Sequence, residues 1–132
     1  SDELTLRAPA ASPHSTFVAT LLRATVTAAE EKLAGDTVVL DLRTLVDSFD
    51  ALVVTSGRND RQVRSICEEI ERLVARALDV KPLRVEGLVD AEWVALDYGD
   101  VIVHVFQEAA REYYDLEHLW SAAPAQRYEF TR

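Results

Sequence analysis

Residues 91–120, AEWVALDYGDVIVHVFQEAAREYYDLEHLW, decide how this chain folds. Two apolar runs flank residues 97–100, DYGD, whose glycine supplies the positive φ that a short hairpin loop often needs. Beyond the second run, Tyr113, Leu116 and Trp120 recur at spacings of three and four, which is typical of one helix face. The stretch therefore predicts a β-hairpin followed by a helix that packs back on it.

Helix and strand patterns alternate through the rest of the chain. They predict a helix from Phe17 to Leu33, strands over residues 36–42 and 50–56, a helix over residues 63–77 and a short strand over residues 83–86. Asn59, with Gln62 three residues later, marks the start of the second helix. The order α-β-β-α-β-β-β-α predicts an α/β fold in which helices cover a mixed five-stranded sheet.

We expect one folded unit between two tails. Residues 1–14 contain two prolines and no periodicity, which is typical of a flexible N-terminal lead-in. The folded domain is expected over residues 15–121. Residues 122–132 are expected to form a polar C-terminal tail, although two aromatic residues in it could dock on the domain.

The composition is that of a protein that folds without disulfides or bound metal. The 132 residues are 48% hydrophobic, which is enough for a core in a single domain. Cys67 is the single cysteine, so no internal disulfide can form, and a reducing cytoplasm is the simplest setting. There is no secretory leader pattern, and no apolar run approaches the roughly 18 residues of a membrane span. We expect a soluble cytoplasmic protein.

Charge restricts the class of partner. The 14 Lys and Arg residues against 23 Asp and Glu residues give a net charge of -9, which repels a phosphate backbone. Direct nucleic-acid binding is therefore not expected. Such a charge can steer the protein toward a basic protein, or it can simply keep the protein soluble, and composition alone leaves both interpretations open.

Carboxylates at the hairpin turn are the first candidates for chemistry. Asp97 and Asp100 could hold Mg²⁺ or act as acid and base, with Asp90 and Glu92 just before the strand. Aspartate is also a common turn residue because its side chain bonds nearby backbone amides. The turn interpretation is favoured, and an exposed binding role for the turn stays open.

Two further residue types lack the neighbours that catalysis needs. His104 lies inside the strand VIVHVF without a second His or Cys at ligand spacing, so we expect a packed histidine that is bonded to a neighbour. Cys67 lies on the apolar stripe of the second helix, which indicates a core thiol. We expect no cofactor.

The turn Ser56, Gly57, Arg58, Asn59 follows a strand and precedes a helix. Such a turn could present backbone amides to a phosphate. It lacks a P-loop lysine and the glycine pattern of a dinucleotide loop. The paired aspartates of a nucleotidyltransferase are also missing from the following segment, so an enzyme is not the favoured interpretation.

Trp93 is the candidate for a contact residue. Strand alternation places it on the same side as Ala95 and Asp97, and places Leu96 and Tyr98 on the other side. An aromatic side chain on the polar side of a strand is typical of an interface anchor. It can equally cover the edge of the core, and spacing does not separate the two interpretations.

Several linked segments resemble the ribosomal silencing factors, the RsfS or Iojap family. They are SFDALVVTSGRNDRQVRSI at residues 48–66, Glu86 with Gly87, EWVALDYGDVIVHVF at residues 92–106 and REYYDLEHLW at residues 111–120. The resemblance extends from about Phe17 to Trp120, and the order and spacing of the segments together make it specific.

This resemblance implies a nucleotidyltransferase-like fold without catalysis. It further implies a protein that binds the large ribosomal subunit through ribosomal protein uL14, blocks joining of the small subunit and represses translation when nutrients are limiting. A free homodimer is also implied. The contact residues that the resemblance implies are Trp93, Leu96, Asp97, Tyr98, Gly99, Asp100, His104 and Arg111.

Two alternatives stay open beside the resemblance. One is a nucleotidyltransferase-like enzyme that uses Asp97 and Asp100 with a divalent metal. The other is a homodimeric adaptor that uses the same hairpin to bind a partner other than the ribosome.

Overall fold

The computed structural model describes residues 13–130, in which six strands form one mixed sheet with helices on both faces. The helices are α1 (Pro13–Glu31), α2 (Asp60–Leu78), α3 (Glu108–Tyr114) and α4 (Leu116–Leu119). The strands are β1 (Thr37–Asp41), β2 (Ala51–Gly57), β3 (Arg84–Glu86), β4 (Trp93–Asp97), β5 (Val101–Gln107) and β6 (Ala125–Tyr128). The α/β class predicted from the sequence is confirmed.

A parallel pair of strands lies at the centre of the sheet. The strand order is β3-β4-β5-β2-β1-β6, and β2 pairs with β5 in parallel, whereas the other neighbours are antiparallel. Every residue of β2 is buried, in agreement with its near-continuous apolar sequence. The predicted hairpin is confirmed as β4 and β5, and Gly99 in its turn has φ +92°.

Each face of the sheet has its own apolar cluster. On one face, α1 and α2 pack against the sheet in a cluster that includes Leu21 of α1, Ile66 of α2 and Val103 of β5. On the other face, the loop after β1 and the helices after β5 contribute Phe49 and Trp120 to a smaller cluster. Burial on both faces explains how a chain of this size folds without a disulfide.

The start of α2 follows the predicted capping pattern. The Asn59 side chain accepts a hydrogen bond from the Gln62 backbone N–H at 2.8 Å, and the Gln62 side chain accepts one from the Arg58 backbone N–H at 2.7 Å. The Gln62 amide also donates to the carbonyls of Lys32 and Leu33, both at 3.1 Å. The cap therefore connects the end of α1 to the beginning of α2.

Because it is charged, Glu69 would be expected on the polar face of the amphipathic helix α2, where charged side chains meet solvent. It is buried, and its carboxylate pairs with Arg72 one turn later at 2.7 Å. The hydrogen bonds from Arg72 lower the pKa of Glu69 to about 2, so the carboxylate stays ionised against the helix. Helix periodicity assigned Glu69 to solvent because it did not include this ion pair.

The predicted count of five strands is wrong, because a sixth strand lies within the expected C-terminal tail. β6 pairs with β1 in antiparallel register, with Thr37 opposite Tyr128 and Leu40 opposite Ala125. Tyr128 and Phe130 also pack on the larger apolar cluster. The segment AQRY carries no strong strand pattern, so its pairing depends on the exposed edge that β1 offers.

The single helix predicted after β5 is also wrong. Asp115 takes a left-handed conformation with φ 46°, which separates α3 from α4. Leu116 and Trp120 pack on the smaller apolar cluster as predicted, but Tyr113 is exposed. Tyr113, before the break, therefore does not share one helix face with Leu116 and Trp120, which follow it.

The predicted lead-in over residues 1–14 lies outside the described residues except for its last two positions, where α1 already begins at Pro13. Within residues 13–130, none of the helices is both long and apolar enough to cross a membrane.

Gly87→Ala is expected to destabilise the domain more than Gly99→Ala. Both glycines have positive φ, which alone costs about 1–2 kcal/mol for another residue. A Cβ at Gly87 would lie 2.0 Å from the backbone oxygen of Trp93, whereas a Cβ at Gly99 would meet the exposed, rotatable Leu83 side chain at 3.3 Å. Urea denaturation should show a loss of about 3 kcal/mol or more at Gly87 and about 1 kcal/mol at Gly99. Equal losses would contradict the close approach of β4 to Gly87.

Candidate functional site

The two faces of the sheet are covered unequally. α1 and α2 cover one face, whereas the loop after β1 and the short helices pack on the other face against residues of β1, β2 and the end of β5. On β4 and β5, five side chains of this second face are only partly buried. We name these residues the open face: Trp93, Ala95, Asp97, Ile102 and His104.

Trp93 lies at one end of the open face inside an aromatic cluster. Its ring stacks on Phe106 with centroids 4.9 Å apart, and it contacts Tyr114 at 4.7 Å. The indole N–H donates a hydrogen bond to Nδ1 of His104 at 2.9 Å. The indole is therefore held in one orientation while part of its surface remains accessible to solvent.

His104 is neutral and fixed in tautomer by this hydrogen bond. Burial lowers the pKa of His104 from 6.5 to about 4. Because Nδ1 accepts from Trp93, the ring proton lies on Nε2. The structure thus agrees with the packed and bonded histidine predicted from the sequence.

Two of the predicted contact residues face the core. Leu96 is fully buried and Tyr98 is 6% exposed, since strand alternation directs both toward the face that the long helices cover. The Tyr98 hydroxyl is buried and has no hydrogen-bond partner among residues 13–130, and burial raises the pKa of Tyr98. The side chains of these two residues are therefore corrected from contact residues to core residues.

The hairpin turn uses one of its carboxylates for its own structure. Asp97 accepts a hydrogen bond from the Gly99 backbone N–H at 2.8 Å and lies 3.9 Å from the Arg84 guanidinium. The Asp100 backbone carbonyl accepts from the Asp50 backbone N–H at 2.7 Å, which connects the turn to β2. Asp97, Gly99 and Asp100 are close together at the end of the open face.

The geometry does not favour metal-dependent chemistry at this turn. Within residues 13–130, no group of three or more His, Cys, Asp or Glu side chains is arranged to hold a metal ion. Cys67 is 1% exposed, and burial raises the pKa of its thiol to about 12, which is typical of an unreactive core cysteine.

Arg111 is engaged inside the domain and lies away from the hairpin turn. Its guanidinium donates to the Ser56 hydroxyl at 3.0 Å and to the Asp36 carbonyl, and it forms two hydrogen bonds with Glu117 at 3.0 and 3.1 Å. The side chain is 13% exposed. Arg111 therefore anchors α3 to the end of β2, and its role as a direct contact stays a prediction.

The turn after β2 uses several of its polar groups within the domain. The Arg58 and Gln62 backbone N–H groups are bonded to side chains of the cap, at 2.7 and 2.8 Å. The Ser56 hydroxyl accepts from Arg111. Two polar groups of the turn, the Arg58 amide and the Ser56 hydroxyl, thus already have partners within the domain.

Two exposed tyrosines next to Trp93 were missed from the sequence. Tyr113 was interpreted as part of a helix packing face and Tyr114 was not singled out, whereas both are exposed. The sequence gives little indication that these side chains are exposed, because their exposure depends on the helix break at Asp115. Spatially, Tyr114 extends the aromatic cluster of the open face.

Comparison with known proteins finds similar chains. The profile of the RsfS family, "Ribosomal silencing factor during starvation", matches residues 15–132. Ribosomal silencing factor RsfS of Halalkalibacterium halodurans is 38% identical over 104 residues, which cover 79% of this chain and 88% of that protein. RsfS of Bacillus subtilis is 36% identical over 111 residues, 83% of this chain and 92% of that protein. These names describe a regulatory protein rather than an enzyme, in agreement with the prediction that no reaction is catalysed.

A solved structure is similar to this fold. The crystal structure of a Chromobacterium violaceum protein has a TM-score of 0.73 and 32% sequence identity, and the match covers 85% of this chain and 90% of that one.

Stability is expected to fall in mild acid because of His104. The pKa of His104 is about 4 in the folded chain and near 6.5 when unfolded, so between these values the unfolded state binds the additional proton. The contribution is complete above about pH 6.5 and is lost as the pH decreases, by about 2 kcal/mol at pH 5. Urea unfolding at about pH 7.5 and 5 measures it.

His104→Gln is the matched control for this titration, because the glutamine oxygen can still accept from the Trp93 indole. Its free energy of unfolding should change with pH by about 2 kcal/mol less than that of the parent over the same interval. The same pH dependence in both proteins would show that His104 does not titrate as described.

Proposed function

The chain belongs to the ribosomal silencing factor family, and on that basis we propose that it represses translation by binding the large ribosomal subunit through ribosomal protein uL14. The bound domain then blocks the small subunit from joining. In this proposal the protein acts in the cytoplasm when nutrients are limiting and catalyses no reaction.

The observation that carries the proposal is the open face with Trp93 in its aromatic cluster. A partly exposed tryptophan that packing already holds in one orientation loses little conformational entropy on binding. Such side chains are common energetic anchors of protein interfaces. Ala95 and Ile102 add flat apolar surface beside it, so a partner can approach the sheet closely.

Charge supports a basic protein as the partner. The net charge of -9 favours encounter with a cationic surface, and Asp97 and Asp100 stand at the rim of the open face. Of the residues implied by the resemblance, Trp93, Asp97, Gly99, Asp100 and His104 are retained for direct contact. Leu96, Tyr98 and Arg111 act through packing or anchoring. Because the block is steric, the volume of the domain is sufficient to exclude the other subunit.

Ala95→Arg is expected to abolish binding to purified large subunits. Ala95 lies in the middle of the open face, opposite His104 on β5, where a long cationic side chain prevents close approach and repels a basic partner. Cosedimentation in sucrose gradients should show at least a tenfold loss of affinity, and small-subunit joining should recover. Trp93→Ala is a less specific test, because it also removes the hydrogen-bond donor to His104.

Ala75→Arg is the matched control, since it makes the same change on the exposed side of α2. It should bind like the parent, and both variants should unfold near the parental temperature. If Ala95→Arg cosediments as well as the control, the open face is not the contact surface. If the parent itself binds a protein other than those of the large subunit, the adaptor alternative is favoured.

We also propose that the free chain is a homodimer that pairs through β3. This strand forms one edge of the sheet, and all three of its residues are exposed. Antiparallel pairing of two copies about Val85 brings Arg84 opposite Glu86 of the partner subunit, and the converse, so the edge is complementary to itself. Leu83 and Val89, 77% and 88% exposed, provide apolar area beside it.

Charge reversal tests this pairing. Glu86→Arg places like charges opposite each other and is expected to shift the protein to monomer by at least tenfold in dissociation constant. The double variant Arg84→Glu with Glu86→Arg restores opposite charges and should restore the dimer. Sedimentation equilibrium measures both. A monomeric parent at tens of micromolar, or a dimer that is indifferent to Glu86→Arg, would contradict the proposal.

A further inference from the structure

We infer that Tyr113 and Tyr114 form an aromatic extension of the contact surface that accepts an arginine or lysine side chain of a basic protein partner. This inference rests on the proposed function, because it adds residues to the same surface and specifies the chemistry that they recognise. We name the two residues the tyrosine pair.

The tyrosine pair is exposed, although Tyr114 also contacts Trp93. Tyr113 is 81% exposed and Tyr114 is 53% exposed, and α3 has no buried residue. The two rings are perpendicular, with centroids 5.0 Å apart, and Tyr114 lies 4.7 Å from Trp93. The pair therefore continues the aromatic surface from the open face outward to solvent.

Polar contacts hold this extension in position. Arg111, one turn before Tyr114, donates to the Ser56 hydroxyl and the Asp36 carbonyl and pairs with Glu117. These groups lie on β2, the loop before β1 and α4. Because Arg111 anchors α3, the outer tyrosine can remain exposed without loss of helix position. Pre-organised aromatic rings of this kind lose little entropy on binding.

The charges of α3 favour a cationic group as the one that the tyrosine pair binds. Glu108, Glu112 and Asp115 belong to α3 or its end, and Arg111, the basic residue of this helix, is already paired with Glu117. Tyrosine faces attract guanidinium and ammonium groups, and nearby carboxylates strengthen that attraction and repel phosphate. An arginine or lysine side chain fits both features, whereas a nucleic-acid backbone fits neither.

Substitutions at Tyr113 separate a cation contact from an apolar one. Tyr113→Phe keeps the aromatic face and should bind large subunits within twofold of the parent. Tyr113→Leu keeps apolar area but removes the ring, and it should weaken binding by about fivefold. Leu119→Ala, at a 71% exposed position on α4, is the control for loss of exposed apolar area and should have no effect. Because Tyr113 and Leu119 are both exposed, all three variants should fold.

Outcomes of this test are distinct from those of the proposed function. If Ala95→Arg abolishes binding and Tyr113→Leu binds like the parent, the inference is overturned while the proposed function stands. If the parent does not bind large subunits, a tetra-arginine peptide tests the pair directly. It should shift the Tyr113 and Tyr114 ring resonances of the parent, whereas the Tyr114 ring resonances of Tyr113→Leu should not shift. Shifts with a single-stranded oligonucleotide and none with the peptide would also overturn it.

Discussion

The parallel pairing of β2 with β5 is the interaction on which the rest of the structure depends. All seven residues of β2 are buried, and its register with β5 extends from Ala51 opposite Val101 to Gly57 opposite Gln107. The pair fixes which residues of β5 face each side of the sheet. Through the antiparallel register of β5 with β4, it also fixes the direction of Trp93.

The helices cover the two faces of the sheet unequally, so part of one face remains accessible to solvent. The long helices cover one face, whereas α3 and α4 are short and cover only part of the other. The remaining part of the second face consists of residues that alternate with core residues on β4 and β5. A one-residue shift of register would bury Trp93 and expose Leu96, so the identity of the residues on the open face is a consequence of sheet register.

Internal polar contacts occupy the places where catalysis had been considered. Arg111 binds the Ser56 hydroxyl at the end of β2, the Asn59 cap uses the amides at the start of α2, and Asp97 closes its own turn. Each contact stabilises the fold and engages a group that was a candidate for binding a phosphate or a metal ion. Recognition of a protein partner uses shape, apolar area and charge, and the open face retains all three.

The sequence by itself determined the element types, the buried β2, the cap of α2, the hairpin turn and the two-sided alternation of β4, because each depends on residues within a few positions of one another. Tertiary structure decided the rest. Arg111 reaches partners 55 and 75 positions away, β6 forms only because β1 presents an unpaired edge, and Glu69 is buried because Arg72 neutralises it. The exposure of Tyr113 likewise follows from the break at Asp115. These features depend on contacts between distant parts of the chain or on the balance between burial and ion pairing, which local periodicity does not contain.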